Sequence, residues 1–118
     1  MRADYRTTSL DVVVLNNLQL VLEEDFIDVL ILFKNNTPIL IETIRTALVE
    51  KDFPSAIIAT HTIKGSSSNL GLVRLEDLCL HYEDMLRGSI DAEQFQRHFD
   101  IISIEYVTAQ AMLDDYMS

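Results

Sequence analysis

Turn-forming residues are scarce in this sequence: three glycines and two prolines in 118 residues. So few breaks leave long uninterrupted segments, which predicts an all-α fold. Cysteine is nearly absent. Cys79 stands alone, so no internal disulfide can form, which fits a reducing compartment. No basic, then apolar, then small-residue leader opens the sequence, so no secretory signal is expected. No unbroken apolar run reaches the length of a membrane span. The expected location is therefore cytoplasmic. Basic residues are few as well, nine against nineteen acidic ones, for a net charge of -10. A chain this acidic repels phosphate backbones and anionic lipid, which argues against nucleic acid and membranes as partners. Internal repeats and low-complexity stretches are also missing.

Apolar side chains, by contrast, are plentiful. Hydrophobic residues make up 48% of the chain, enough for one packed core in one domain without metal or disulfide support. Residues 1–9 are polar and read as a frayed leader, with the domain over 10–118. Two segments carry a strong helical period. Phe26, Leu30, Phe33, Thr37, Leu40, Ile44 and Ala47 alternate spacings of four and three. Phe95, Phe99, Ile102, Tyr106, Ala109, Leu113 and Tyr116 do the same. Each series makes one apolar stripe, as in bundles of near-parallel helices. Pro38 lies inside the first stripe and should kink or briefly break that helix.

Punctuation marks the other boundaries. Asp52 is placed to cap a helix with Pro54 in its first turn. Gly71 and Gly88 are placed to end two helices, and Asp91 with Gln94 forms a capping pair for the last. The expected map is a short helix near 10–21, then helices near 25–50, 54–70, 72–87 and 91–117. Short loops make neighbours antiparallel. The expected architecture is a four-helix up-down bundle, with an additional short N-terminal helix covering one end.

The segment from Thr60 to Gly71 breaks the local rules. It should be helical, yet it holds Gly65 in mid-helix and three consecutive serines. Glycine there costs about 1 kcal/mol against alanine, and a broken rule without structural benefit often marks function. At about 100° per residue, Ala59, Ile63 and Leu70 fall on a core face flanked by Ala56 and Ser66. His61, Lys64, Gly65 and Ser68 fall on the opposite face, bordered by Ile57 and Ile58. Each member of that outer face suits a nucleophilic histidine. A neutral imidazole can attack phosphorus near neutral pH. The product carries about 1.5 to 2 added negative charges, and Lys64 can stand beside them as a point charge. Ser68 can hydrogen-bond phosphoryl oxygens or orient the ring, Gly65 leaves space for a partner, and Ile57 and Ile58 supply apolar docking area. Taken singly, each has a plainer reading: a surface histidine, a solvated lysine, a packing notch, core isoleucines. Ser66 and Ser67 keep that plainer reading, as small residues permitting tight packing. The register of the other four is what favours chemistry.

This pattern resembles the histidine-containing phosphotransfer family, whose motif reads His-x-x-Lys-Gly-(Ser or Ala)-(Ser or Ala)-x-x-x-Gly. Here it stands as His61, Lys64, Gly65, Ser66, Ser67 and Gly71, complete over eleven positions. Leu75, Leu78, Cys79 and Glu83 resemble the family's following helix, and the resemblance covers nearly the whole chain. One departure is Thr60, where the family often has Ala; it borders the core, so only small packing effects are expected. The resemblance implies a four-helix bundle with His61 exposed midway along one helix and phosphorylated on the ring nitrogen far from its backbone. It implies charge stabilisation by Lys64 and access over Gly65. It implies a bacterial two-component phosphorelay, with receiver domains of response regulators and hybrid sensor kinases as partners. The protein would be a phosphoryl carrier without catalytic turnover of its own. No cofactor is expected on this chain; magnesium would sit in the partner receiver. A free-standing monomer is expected.

Other readings fit less well. An autophosphorylating kinase typically carries an acidic residue after the histidine, where this chain has Thr62, and no nucleotide-binding domain is present. Lys64-Gly65-Ser66 has the wrong order for a phosphate loop. His61, His81 and His98 lack metal-ligand spacing, Cys79 reads as core, and no metal site is expected. His81 and His98 read as ordinary surface residues. Nothing supplies the third group or oxyanion site of a Ser-His hydrolase. The rival that shares fold and surface is a bundle that docks a receiver without being phosphorylated.

Overall fold

The computed structural model describes residues 8–88 and 91–118. The chain folds into helix α1 (Val12–Leu22), a 3-10 turn (Glu23–Asp25), and helices α2 (Phe26–Glu50), α3 (Phe53–Asn69), α4 (Val73–Gly88) and α5 (Ala92–Met117). Helix α2 packs on α3 and α5, and α4 packs on α3 and α5. That neighbour pattern closes α2 to α5 into a four-helix ring, with successive helices antiparallel across short connections. The fold is all-α, as the scarcity of glycine and proline predicts. Most of the expected frayed leader, residues 1–7, lies outside the described residues.

Local chemistry explains the helix ends. Helix α2 stops where Lys51 turns into the left-handed region, φ 57, and its N–H bonds back to the Ala47 and Leu48 carbonyls. Asp52 then opens α3: its carboxylate accepts from the Ser55 N–H at 3.2 Å and from the Ser55 hydroxyl at 2.6 Å, with Pro54 in the first turn. These bonds hold the Asp52 carboxyl below its ordinary value. Asp91 opens α5 by accepting from the N–H groups of Glu93 and Gln94. Gly88 is the last residue of α4. Gly71 ends α3 with φ +74, and a Cβ there would stand 2.7 Å from the Asp11 carbonyl oxygen. It is thus required twice, for its backbone conformation and for the close approach of the α1 cap.

That approach anchors α1. The Asp11 N–H donates to the Gly71 carbonyl at 2.7 Å, Leu15 is fully buried, and the Tyr116 hydroxyl near the end of α5 bonds Asn16 and Gln19. The start of α2, the α3–α4 turn and the end of α5 all lie at one end of the bundle, so α1 covers that end, as expected.

The core follows the expected stripes with three corrections. In α2 the buried residue at that turn is Ile41, and Leu40 is half-buried beside it. In α5, Tyr106 and Tyr116 are only half-buried, while Glu105 is buried and paired with Arg74 of α4 at 3.2 Å. Pro38 does not break α2, which runs unbroken from residue 26 to 50. Proline removes one N–H and therefore one ladder bond, and the flanking turns, anchored by buried Phe33, Thr37 and Ile41, carry the helix through. Tyr82 ties α4 to α5 by donating to the Phe95 carbonyl at 3.0 Å; burial, then the Asp100 charge, pushes its phenol well above the ordinary range.

Candidate functional site

Helix α3 turns a narrow face of small residues into the core. Ala56, Ala59, Thr60, Ile63, Ser67 and Leu70 are buried. The face is rotated slightly from the expected one: Ser67 takes the buried position assigned to Ser66, which is half-buried and donates to the Thr62 carbonyl. Thr60 lies wholly inside and donates to the Ala56 carbonyl at 2.7 Å, so it is a core residue and not a border one. The buried thiol of Cys79 on α4 is pushed up to about 12 by desolvation, with the Lys64 charge opposing and the Glu83 charge adding; it is inert core.

The outer face is placed as the spacing indicated. The His61 side chain is 65% exposed. Gly65 is exposed, and a Cβ built on it would meet nothing within 4 Å. The fold therefore does not need glycine there, which removes the packing-notch reading. Ser68 is exposed, two turns beyond His61, about 10 Å along the axis. It borders the face, and among the described residues no hydrogen bond joins it to the ring. Ile58 is 68% exposed, but Ile57 packs partly buried against the core. The two isoleucines are therefore not equivalent: Ile57 leans inward and Ile58 faces solvent. His81 is exposed and lies 3.3 Å from Asp77, one turn away; His98 is half-buried.

The residue that organises the site is Glu83 of α4, which the sequence reading counted only as part of a resemblance. Its carboxylate lies under the ring, with Oε1 2.8 Å from His61 Nδ1 and 3.5 Å from Lys64 Nζ. Its other oxygen, Oε2, is 3.8 Å from Arg87. The Glu83 side chain is only 10% exposed. Burial by itself raises the carboxyl's proton affinity, but the His61 hydrogen bond and the charges of Lys64, His61 and Arg87 outweigh it, and the net direction is downward. An ionised carboxylate can only accept, so Nδ1 must carry the proton. In the neutral ring this leaves the lone pair on Nε2, the nitrogen far from the backbone. Ring orientation thus falls to Glu83 and not to Ser68. A signal for Glu83 was present: Leu75, Cys79, Tyr82 and Leu86 define the buried stripe of α4, and Glu83 lies on it. An acidic residue on an apolar stripe needs a partner.

Among the described residues no cluster of three or more histidine, cysteine or acidic side chains could hold a metal ion, and no helix is long and apolar enough to cross a membrane.

A helical bundle presenting a solvent-facing imidazole, oriented by a carboxylate and flanked by lysine and a bare backbone patch, belongs to the class of phosphohistidine carriers. Comparison with known proteins agrees. The family model of the Hpt domain matches residues 28–116, and the chain belongs to that family. The crystal structure of histidine-containing phosphotransfer protein B from Pseudomonas aeruginosa PAO1 is similar, with a TM-score of 0.68 and 28% sequence identity over 90% of this chain and 97% of that one. No curated protein matches the chain in sequence. The chain is thus a histidine phosphotransfer protein of a phosphorelay, a phosphocarrier of bacterial type whose kind of partner is the receiver domain.

Proposed function

We propose that His61 is the phosphoacceptor and that it exchanges its phosphoryl group with the aspartates of receiver domains in response regulators and hybrid sensor kinases. The observation that carries this is the tautomer: Nδ1 bonded to Glu83 leaves a nucleophilic Nε2 on an exposed ring. In the forward step the Nε2 lone pair bonds to phosphorus. The bond from phosphorus to the aspartyl oxygen breaks, and its electron pair leaves on the carboxylate. Lys64, one turn from His61, offsets charge on the phosphoryl oxygens from its place beside Glu83. Ser68 serves at the edge of the docked face. Gly65 admits the receiver, and Ile58, with the inner support of Ile57, gives it apolar area. Exposed Leu32 and Ile39 of α2 extend that area across the groove between α2 and α3.

This reading assigns residues 10–118 to one phosphotransfer domain, acting as a monomeric cytoplasmic carrier without turnover of its own. It needs no resident cofactor, nucleic acid or membrane, and its magnesium belongs to the receiver. The test mixes the chain with a panel of phosphorylated receiver domains and magnesium, with His61→Gln alongside. Label on the native chain alone is expected. Equal label on the variant would overturn the assignment, and binding without label on either would indicate a docking bundle. The label should be lost in acid and kept in alkali; acid-stable label would point to Ser66, Ser67 or Ser68.

A further inference from the structure

We propose that Glu83 keeps Nδ1 of His61 protonated after phosphorylation, so that the phosphoryl group moves onto and off the ring without a proton entering or leaving it. The proposal rests on His61 being the phosphoacceptor and concerns the state of the ring once loaded.

The geometry requires one proton between the two groups. Oε1 lies 2.8 Å from Nδ1, and the Glu83 side chain is largely shielded from water. With Nε2 occupied by phosphorus, loss of the Nδ1 proton would leave two acceptors facing each other at that distance, an arrangement that forfeits the bond and strands a buried acceptor. The proton must then reside on one partner. The charged groups set against this carboxylate are Lys64 from α3 and Arg87 from α4, at 3.5 and 3.8 Å. The Cys79 thiol beneath them on α4 stays neutral at physiological pH. Two cations make protonation of Glu83 unfavourable, and Arg87 takes Oε2 while Oε1 stays with the ring. The proton therefore belongs on Nδ1, and the loaded ring is a phosphoimidazolium.

The consequence is chemical. When phosphate passes on to a receiver aspartate, the N–P bond breaks, its electron pair returns to Nε2, and the carboxylate oxygen forms the new bond to phosphorus. From a ring protonated on Nδ1 the product is neutral imidazole, the resting tautomer already bonded to Glu83. From an unprotonated ring the leaving group is an imidazolate, a far stronger base and a far poorer leaving group. Glu83 is thus a positioning residue that also keeps the loaded ring ready to discharge.

The amide of Glu83→Gln is the discriminating substitution. It matches the carboxyl in shape, and it can accept from a protonated Nδ1 or donate to an unprotonated one, so it favours neither state. Native and E83Q chains with 15N-labelled histidine are phosphorylated by phosphoramidate, with no receiver present. The 31P signal reports phosphohistidine, and the Nδ1 shift is followed as pH rises. In the native chain Nδ1 should lose its proton at least about one pH unit above the variant, a tenfold difference in proton affinity. In paired assays, discharge to a receiver should stay flat through neutral pH for the native chain and fall up to about tenfold per pH unit for the variant once its ring deprotonates. Circular dichroism checks that E83Q is folded; if it is not, the native Nδ1 midpoint is compared with that of phosphohistidine in a short peptide, against the same expected difference. Coincident midpoints in the comparison used would overturn the proposal while leaving His61 as phosphoacceptor. No phosphohistidine signal from either chain would overturn both.

Discussion

Replacing Gly65 by alanine should make the protein more stable and less active, a pairing of signs that few substitutions near a site produce. Gly65 lies in the interior of α3, exposed, and the added methyl meets nothing within 4 Å. No clash offsets the gain in helix propensity, so the full glycine-to-alanine difference of about 1 kcal/mol should appear as stability. For a chain of 118 residues, an unfolding entropy of about 2 cal/mol/K per residue turns this into a rise in Tm of about 4 °C. The same methyl stands one turn from His61, on the face a receiver must approach. A displacement of about 1 Å from the transfer geometry can cost on the order of a hundredfold in rate, so alanine should slow transfer about tenfold and leucine more. Thermal melts and single-turnover transfer from a phosphorylated receiver measure the two effects separately. A lowered Tm for G65A would mean that α3 needs glycine at this position after all. A raised Tm with transfer at the native rate would mean that a receiver does not approach over Gly65.

Gly71→Ala should act in the opposite direction: a positive φ costs an L-residue about 1 to 2 kcal/mol, and the Cβ would press on the Asp11 carbonyl, so urea unfolding should show a clear loss and hydrogen exchange should find α1 loosened. Arg74→Met leaves the Glu105 carboxylate, 7% exposed, without its ion pair and should destabilise by about 3 kcal/mol, with Glu105→Leu on the same chain restoring much of it. Because the Glu83 carboxyl is lowered on folding, it contributes stability above its ordinary value of 4.5 and loses it as pH falls through the lowered folded value. Urea midpoints across acid pH should therefore decline less steeply in E83Q, and an unchanged slope would show that the carboxylate is not held as described.

How much was readable in advance follows from how far each signal reaches along the chain. Helix positions come from contacts three and four residues apart and from caps within a few residues, so Asp52, Gly71 and the two apolar stripes marked their elements before any packing was known. His61, Lys64 and Gly65 share one helix, so their common face followed from the helical period alone. Pro38 shows the limit of that logic: a local rule predicts a kink or a brief break, and the helix runs through it without a break, with buried neighbours on both sides.

Rotation of a helix within the bundle is set by partners distant in sequence. The helical period put Ile57 and Ile58 alike on the border of the outer face and Ser66 beside the core, whereas in the packed helix Ile57 turns inward and Ser67 takes the core position. Glu83 is the clearest case. It lies twenty-two residues from His61, and only the packing of α4 on α3 brings its oxygen to Nδ1. By itself, then, the amino-acid sequence determined the class of fold, the helix boundaries and the face that carries His61, because those depend on short-range periodicity. The family resemblance pointed to the ring nitrogen of His61 far from the backbone, and only the tertiary structure supplied the physical reason, because a tautomer is chosen by the hydrogen bond that a neighbouring helix provides.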